Sequence, residues 1–308
     1  MNLYRHGKGL FFGKEVITMA NQAKTINQKG DLMSYRPDIK LLDATIRDGG
    51  LVNNFGFSDE FVKELYKTNI KSGVEYMEFG YKASKELFDV KGFGKWKFCD
   101  EEDIRAIVGE NDSPLKLSVM ADVGRCDFKK DILPKSESVI DMIRIATYTH
   151  QMPGALEMIN YCHDMGYETT INIMAVSASR EDDIAQALDL VAKSPVDVIY
   201  LVDSYGSLFP EQVRRLTAQY CEVAEASGKK VGVHMHNNQQ LAFANTIESI
   251  SHGASFADAT MSGMGRGAGN CFMEQMLSFL RNPNYKLTPT LKLSLIHISE
   301  PTRHLRIS

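Results

Sequence analysis

The chain has 308 residues, of which 44% are hydrophobic and 24% are charged, and its formal net charge is −4. This composition is ordinary for a water-soluble globular protein, and the slight negative charge argues against nucleic acid as the main partner. No apolar run approaches the length that crosses a bilayer, and the first residues lack the apolar core of a secretory signal. The five cysteines include no CxxC pair, which favours reduced thiols in the cytoplasm over a disulfide framework.

Both ends of the chain differ in composition from its middle. Residues 1–37 are polar and aperiodic, and we expect them to form a poorly ordered extension. From about Leu293 the chain reads LSLIHISEPTRHLRIS, which resembles a translated sequencing adapter, so we expect residues 293–308 to be non-native. On this interpretation residues 283–308 are the truncated remainder of a C-terminal region, and the native protein continues differently beyond Pro289.

Between these ends, residues 38–282 alternate short β-branched runs with amphipathic segments, which is typical of a parallel α/β fold. The predicted strands are Ile39–Ile46, Val74–Phe79, Leu115–Ala121, Val139–Ala146, Glu168–Ala175, Val196–Val202, Lys230–Met235 and Phe256–Met261. The clearest predicted helices are Ser58–Lys71, Arg180–Lys193 and Pro210–Ala226. Eight such repeats predict one catalytic domain, a closed (β/α)₈ TIM barrel. A doubly wound open sheet is the alternative, but it usually has fewer strands and an early glycine fingerprint, which is absent here.

Polar residues cluster where three of the predicted strands end, which is where such barrels carry their chemistry. The segment after strand 1 contains Asp48, strand 7 ends in VHMHNN, and GMGRGAGN follows strand 8. Side chains two apart on a strand point the same way, so His234 and His236 project together into the barrel mouth. Strand 8 neighbours strands 7 and 1 in a closed barrel, so Asp48 and Asn270 converge on the same point. One carboxylate, two imidazoles and an amide oxygen form a mixed nitrogen and oxygen metal site.

Each of these motifs also has a structural interpretation. An HxH pair can be a polar strand end, Arg-Asp-Gly is a common turn, and the glycine-rich run can be a tight loop or a phosphate site. Their joint occurrence at the correct strand ends favours the metal site. Because no thiolate joins the ligand set, we expect Mn²⁺ or Mg²⁺ rather than Zn²⁺.

The segments LLDATIRDGG, VHMHNN and GMGRGAGN resemble those of the DRE-TIM metallolyases, over about residues 38–282. The resemblance is closest to the 4-hydroxy-2-oxovalerate aldolase-like branch, whose loop GG-x-V-N-N is matched by Gly49–Asn54. It implies a lyase that makes or breaks a carbon–carbon bond next to a 2-keto acid, yielding pyruvate and an aldehyde.

The resemblance also assigns roles to individual residues. Asp48, His234 and His236 would bind a divalent metal, with Asn270 a further ligand or a partner of the ligands. Arg47 would steady the enolate oxygen, with a barrel salt bridge as the structural alternative.

The base for a retro-aldol reaction is missing from its usual place. Aldolases of this branch carry a histidine just after the Arg-Asp-Gly turn, whereas this chain reads Gly50–Asn54 there. Glu78, at the end of strand 2, is a candidate acid or base by position and by resemblance, and its alternative role is to pair with Arg47. Asp203, at the end of strand 6, is a candidate for supporting the ligands or binding substrate, and Tyr81 is a further one.

Two other classes compete with the lyase. Metal-dependent hydrolases of this fold carry HxH on strand 1 and further histidines on strands 5 and 6, where this chain has Asn172 and Asp203. A non-catalytic or truncated inactive barrel is the other, supported by the missing histidine and the missing C-terminal region. Many relatives need that region to dimerise or to cover the site, so a homo-oligomer formed through it is a further expectation.

Overall fold

The computed structural model describes residues 35–295 of the chain. Eight parallel strands form a closed barrel in chain order, and β8 pairs with β1 to complete it. The strands are β1 (Lys40–Asp43), β2 (Tyr76–Tyr81), β3 (Lys116–Asp122), β4 (Met142–Thr147), β5 (Glu168–Ile173), β6 (Val198–Asp203), β7 (Lys230–Met235) and β8 (Phe256–Ala259). The predicted (β/α)₈ barrel is therefore confirmed.

Helices connect the strands and cover the outside of the barrel. They are α1 (Thr45–Asn53), α2 (Asp59–Ser72), α3 (Glu101–Val108), α4 (Phe128–Asp131), α5 (Met152–Asp164), α6 (Glu181–Ala192), α7 (Pro210–Ala226), α8 (Ala242–Ser251), α9 (Met273–Phe279) and α10 (Leu287–Leu293). None of these helices is both long enough and apolar enough to span a membrane.

The helix boundaries follow from local chemistry. The Ser58 hydroxyl accepts a hydrogen bond from the Phe61 amide at 3.3 Å and begins α2, as serine caps do. Gly73, at φ 77°, ends the same helix in the left-handed conformation that glycine adopts without strain. Pro210 occupies the first turn of α7, and the bounds of α7 and β7 are the predicted ones.

The segment after β1 differs from the prediction. We expected a strand over Ile39–Ile46 followed by a turn, but β1 ends at Asp43 and α1 begins at Thr45. Two consecutive glycines argue against a helix on propensity alone. Tertiary packing explains them, because a Cβ at Gly50 would overlap the ring of Phe55.

Side chains inside the barrel form two layers of different chemistry. The lower layer is apolar and contains Leu42, Tyr76, Met142, Val198 and Phe256. Two residues further along their strands, the upper layer contains Glu78, Arg144, Tyr200 and Asp258, all 0–1% exposed. Alternation along each strand places both layers inside. The ionic layer therefore lies directly beneath the C-terminal mouth of the barrel.

The last described residues pack against the barrel wall. Leu293, at the end of α10, is 2% exposed, and Ser294 donates a hydrogen bond to Glu274 in α9. Residues 296–308, most of the segment expected to be non-native, lie outside the described residues, as do residues 1–34 of the expected extension.

Candidate metal centre

Three potential metal ligands converge at the C-terminal mouth of the barrel. Asp48 lies in the first turn of α1, His234 lies on β7 and His236 follows β7 directly. All three side chains are buried, and one ligand atom from each lies within 4.8 Å of the other two. The structure thus brings the predicted ligands together, with Asp48 on a helix rather than at the end of a strand.

Asn270 lies beside Asp48 in this cluster. Its amide nitrogen donates hydrogen bonds to the carboxylate of Asp48 and, at 3.1 Å, to the carbonyl oxygen of Met264. The backbone of Gly265 packs against both side chains, and a Cβ at that position would overlap them. The glycine-rich loop after β8 can therefore approach the centre only because this residue has no side chain.

The protonation states suit a cation. Burial raises the pKa of Asp48, but the Arg47 guanidinium, His234, His236 and the hydrogen bond from Asn270 together outweigh that effect, and the pKa lies below its usual value. Burial lowers the pKa of His236 and holds that of His234 well below its usual value, so both imidazoles are neutral. A carboxylate with neutral imidazoles is the form in which these side chains bind metal.

The unpaired atoms of the cluster provide a test of whether a metal fits. His234 Nε2, His236 Nδ1 and Asn270 Oδ1 are buried and have no hydrogen-bond partner among the described residues. Buried polar atoms without partners are costly, and all three atom types can coordinate a divalent cation. The residues present therefore fit the metal that the motifs predict.

Arg47 is held next to the centre by two carboxylates. Its Nε donates to Glu78 Oε2 at 2.8 Å and its Nη1 donates to Asp48 Oδ1 at 2.9 Å. The side chain is only 5% exposed, yet it lines the cavity at the barrel mouth. Since a guanidinium has five N–H groups, Arg47 retains donors for a bound molecule.

A buried ionic chain connects Arg47 with His234 through the upper layer of the barrel. Arg144 donates to Glu78 at 2.8 Å and to Asp258 at 2.6 Å, and Asp258 Oδ2 lies 3.0 Å from His234 Nδ1. The Asp258 carboxylate beside Nδ1 favours the tautomer with its proton on Nδ1, which leaves the lone pair of Nε2 for a metal.

Arg144 and Asp258 were not predicted as site residues, although the sequence contains a signal for them. Both are charged residues in the middle of strands that otherwise carry buried apolar residues. Charged side chains are rarely fully buried unless they are paired, so two such residues predict a partnership inside the barrel.

The cavity at the barrel mouth is small, with a volume of about 60 Å³. It is lined by Arg47, Asp48, Leu51, Tyr81, Met120, Ala146, Asn172, Met174, Val202, Ser204, His234, His236 and Arg266. Three predicted site residues, Glu78, Asp203 and Asn270, are not among them. Glu78 lies beneath Arg47, whereas the Asp203 carboxylate accepts hydrogen bonds from the amides of Ser207 and Leu208 at 3.2 and 3.0 Å.

The closed barrel with this candidate centre at its mouth defines a class of metal-dependent barrel enzymes. Within it, the chain belongs to the HMGL-like family, whose sequence model matches residues 38–300. The prediction of a metal-dependent lyase is confirmed at this level.

Individual relatives are of moderate similarity. The oxaloacetate decarboxylase of Mycobacterium tuberculosis is 29% identical over 246 residues, which cover 78% of this chain and 69% of that protein. The 4-hydroxy-2-oxovalerate aldolase of Pelotomaculum thermopropionicum is 27% identical over 254 residues, covering 82% of this chain and 72% of the aldolase.

Solved structures share the fold. The N-terminal domain of a candidate aldolase from Bacteroides vulgatus superimposes with a TM-score of 0.75 at 27% identity, covering 87% of this chain and 88% of that one. The HMG-CoA lyase of Brucella melitensis has a TM-score of 0.67 at 16% identity, covering 86% and 99% of the two chains.

Proposed function

We propose that this protein is a divalent-metal-dependent carbon–carbon lyase of the aldolase type. It would cleave or form a bond next to a 2-keto acid, in the manner of 4-hydroxy-2-oxovalerate aldolase, with pyruvate and an aldehyde as products. The observation that carries the proposal is the convergence of Asp48, His234 and His236 beside Arg47 in one buried site.

The proposed ligands are Asp48, His234 and His236, with Asn270 either a fourth ligand or the partner that holds Asp48. Mn²⁺ or Mg²⁺ is the expected ion. A divalent ion bound there would supply Lewis acidity to the carboxylate and keto oxygens of the substrate.

Side chains of the protein would stabilise the charge that develops in the reaction and hold the site in place. Arg47 would stabilise the negative charge that develops on the keto oxygen when the bond breaks, because its position is fixed before substrate arrives. Glu78 and Arg144 would keep the guanidinium in that position through the contact at 2.8 Å between Glu78 and Arg47. Asp203 would shape the loop after β6, which supplies Ser204 to the cavity wall.

A second candidate reaction is decarboxylation of a 3-carboxylated 2-keto acid. Among residues 35–295, no imidazole or carboxylate lines the cavity apart from the proposed metal ligands, and the hydroxyl groups that line it belong to Tyr81 and Ser204. A retro-aldol reaction needs a base for the hydroxyl proton, whereas loss of carbon dioxide leaves the same enolate without one. The relative from M. tuberculosis supports this candidate.

The first experiment tests the metal. Purified wild-type protein should contain about one divalent ion per chain, and Asp48→Ala and His234→Ala should lose it. His252→Ala, at the exposed end of α8, is the matched control and should retain it. Unchanged metal content in both ligand variants would remove the basis of the proposal.

The second experiment tests the chemistry. With Mn²⁺, the protein should exchange the methyl protons of pyruvate, or of another short 2-keto acid, with deuterium, as followed by NMR. Arg47→Lys should slow the exchange by roughly 10²-fold, because an ammonium does not reproduce the planar donor fork. A protein that binds metal but exchanges no proton on a panel of short keto acids would contradict both lyase reactions.

We also propose a cytoplasmic location and assembly into a homo-oligomer. The absence of a CxxC pair among the five cysteines supports the location. Cell fractionation tests the location, and light scattering tests the oligomeric state.

A further inference from the structure

The charges that line the cavity are unbalanced. Its walls contain two guanidiniums, from Arg47 and Arg266, and one carboxylate, from Asp48. That carboxylate already accepts hydrogen bonds from Arg47 and Asn270, and it is a proposed metal ligand. A bound divalent ion would add further positive charge. The ion and Arg47 would suffice for a single substrate carboxylate, so Arg266 is a cationic group in excess of that requirement.

Arg266 differs from the other two arginines of this region. Arg47 and Arg144 each form ion pairs with two carboxylates at 2.6–2.9 Å. Among residues 35–295, Arg266 forms no ion pair, and the one hydrogen bond of its guanidinium goes from Nη2 to the carbonyl oxygen of Ser204 at 3.0 Å. Four of the five N–H groups of its guanidinium are therefore free to bind an anion.

The loop that carries Arg266 is fixed on both sides. The Ala268 amide donates to Asn238 Oδ1 at 3.0 Å, and Asn238 Nδ2 donates to the carbonyl oxygen of Tyr205 at 2.8 Å. Gly267 has a φ of 65°, and a Cβ there would lie 2.7 Å from Asn238 Oδ1. This close approach requires glycine, and together with the Ser204 contact it directs the guanidinium over the cavity.

We infer that Arg266 binds a second carboxylate of the substrate, so that the site takes short 2-keto acids with two carboxylates. The inference rests on the proposed function and narrows its substrate class. One carboxylate and the keto oxygen would lie beside Arg47 and the metal, and the distal carboxylate would reach Arg266 at the rim. Leu51, Met120 and Val202 add apolar side chains to the lining of the same cavity, which suits a short carbon chain.

The test compares two stable ligands that differ by one carboxylate. Malate and lactate are the 2-hydroxy analogues of a dicarboxylic and a monocarboxylic keto acid, and calorimetry on the Mn²⁺-loaded protein measures both affinities. The wild type should bind malate at least tenfold more tightly, since a hydrogen bond between two charged groups is worth about that factor. Arg266→Gln should abolish the preference, and Arg266→Lys should restore part of it. Arg180→Gln, at an exposed arginine before α6, is the control and should keep the preference.

Equal binding of the two ligands by the wild type, or a preference that survives Arg266→Gln, would overturn the inference, as would failure to bind either ligand. Turnover is measured separately with oxaloacetate and pyruvate. A wild type that prefers malate yet turns over no keto acid would contradict the proposed function while the role of Arg266 stands.

Discussion

Replacement of Arg144 by methionine tests whether the ionic layer holds the barrel interior together. Arg144 is 0% exposed and forms ion pairs with Glu78 at 2.8 Å and Asp258 at 2.6 Å. Its guanidinium also lies 4.4 Å from the ring centre of Tyr200. Methionine preserves much of the side-chain volume but leaves two buried carboxylates without this partner.

The expected loss is large. Removing one member of a buried ion pair costs about 3–5 kcal/mol, mainly because the partner charge stays buried. For a domain of this size, each kcal/mol lowers the melting temperature by about 2–4 °C, so Arg144→Met should melt about 6–20 °C below the wild type. Burial raises the pKa of Asp258 and Arg144 opposes that effect. The deficit should therefore shrink as the pH falls and the buried Asp258 carboxylate takes up a proton.

Differential scanning calorimetry at pH 5 and pH 7.5 provides the measurement. The control is Arg214→Met, which removes an ion pair of similar length, 2.7 Å to Glu248, from a side chain that is 59% exposed. Exposed pairs contribute little, so this variant should melt like the wild type. A melting temperature for Arg144→Met within 3 °C of the control, at both pH values, would refute the view that this charge network supports the fold.

Two further predictions concern Asp258, the partner of Arg144, and Asp43, the last residue of β1. Asp258→Asn should weaken Mn²⁺ binding about 10–100-fold, because the carboxylate that fixes the His234 tautomer is lost; unchanged affinity in a metal titration would exclude this role. The second prediction concerns Asp43, whose pKa burial raises to about 6 from an ordinary value of 3.8. A carboxyl group whose pKa is raised in the folded state contributes to the free energy of unfolding. This contribution is fully present below about pH 4 and is lost as the pH rises through 6. Urea unfolding should therefore show the stability of the wild type, relative to Asp43→Asn, falling by about 1–2 kcal/mol between pH 5 and pH 7.5. A difference that does not change with pH would contradict the raised pKa.

Most of the fold could be predicted because its signals are local. The bounds of α7 follow from Pro210 in its first turn and Gly228 just beyond its end. The alternation of strands and helices then leaves few topologies, and strand count favours the closed barrel. The first strand was predicted too long because the helix α1 that follows it contains two glycines, which argue against a helix on local propensity. Those glycines pack against Phe55 and Met264, and no local sequence pattern contains these contacts.

Some parts of the candidate site could be predicted from the sequence and others could not. His234 and His236 share a strand face, so their pairing follows from the period of a strand. The bridge from Glu78 through Arg144 to Asp258 joins three different strands, and only the barrel register places them together. From the sequence, the glycine-rich run that contains Arg266 could be a tight loop or a phosphate site, and the role proposed for Arg266 rests on contacts that the sequence does not contain, such as the one to Ser204.

The apolar lower layer of the barrel has a consequence for how molecules leave. Tyr76, Met142 and Phe256 fill the interior below the ionic layer, so the cavity opens at one end only. A substrate oriented as proposed enters with its keto acid group leading and its distal end trailing. The fragment nearer the opening must then depart before the fragment that lies beside Arg47. Release would be ordered, with pyruvate leaving last, and the reverse reaction would require pyruvate to bind first.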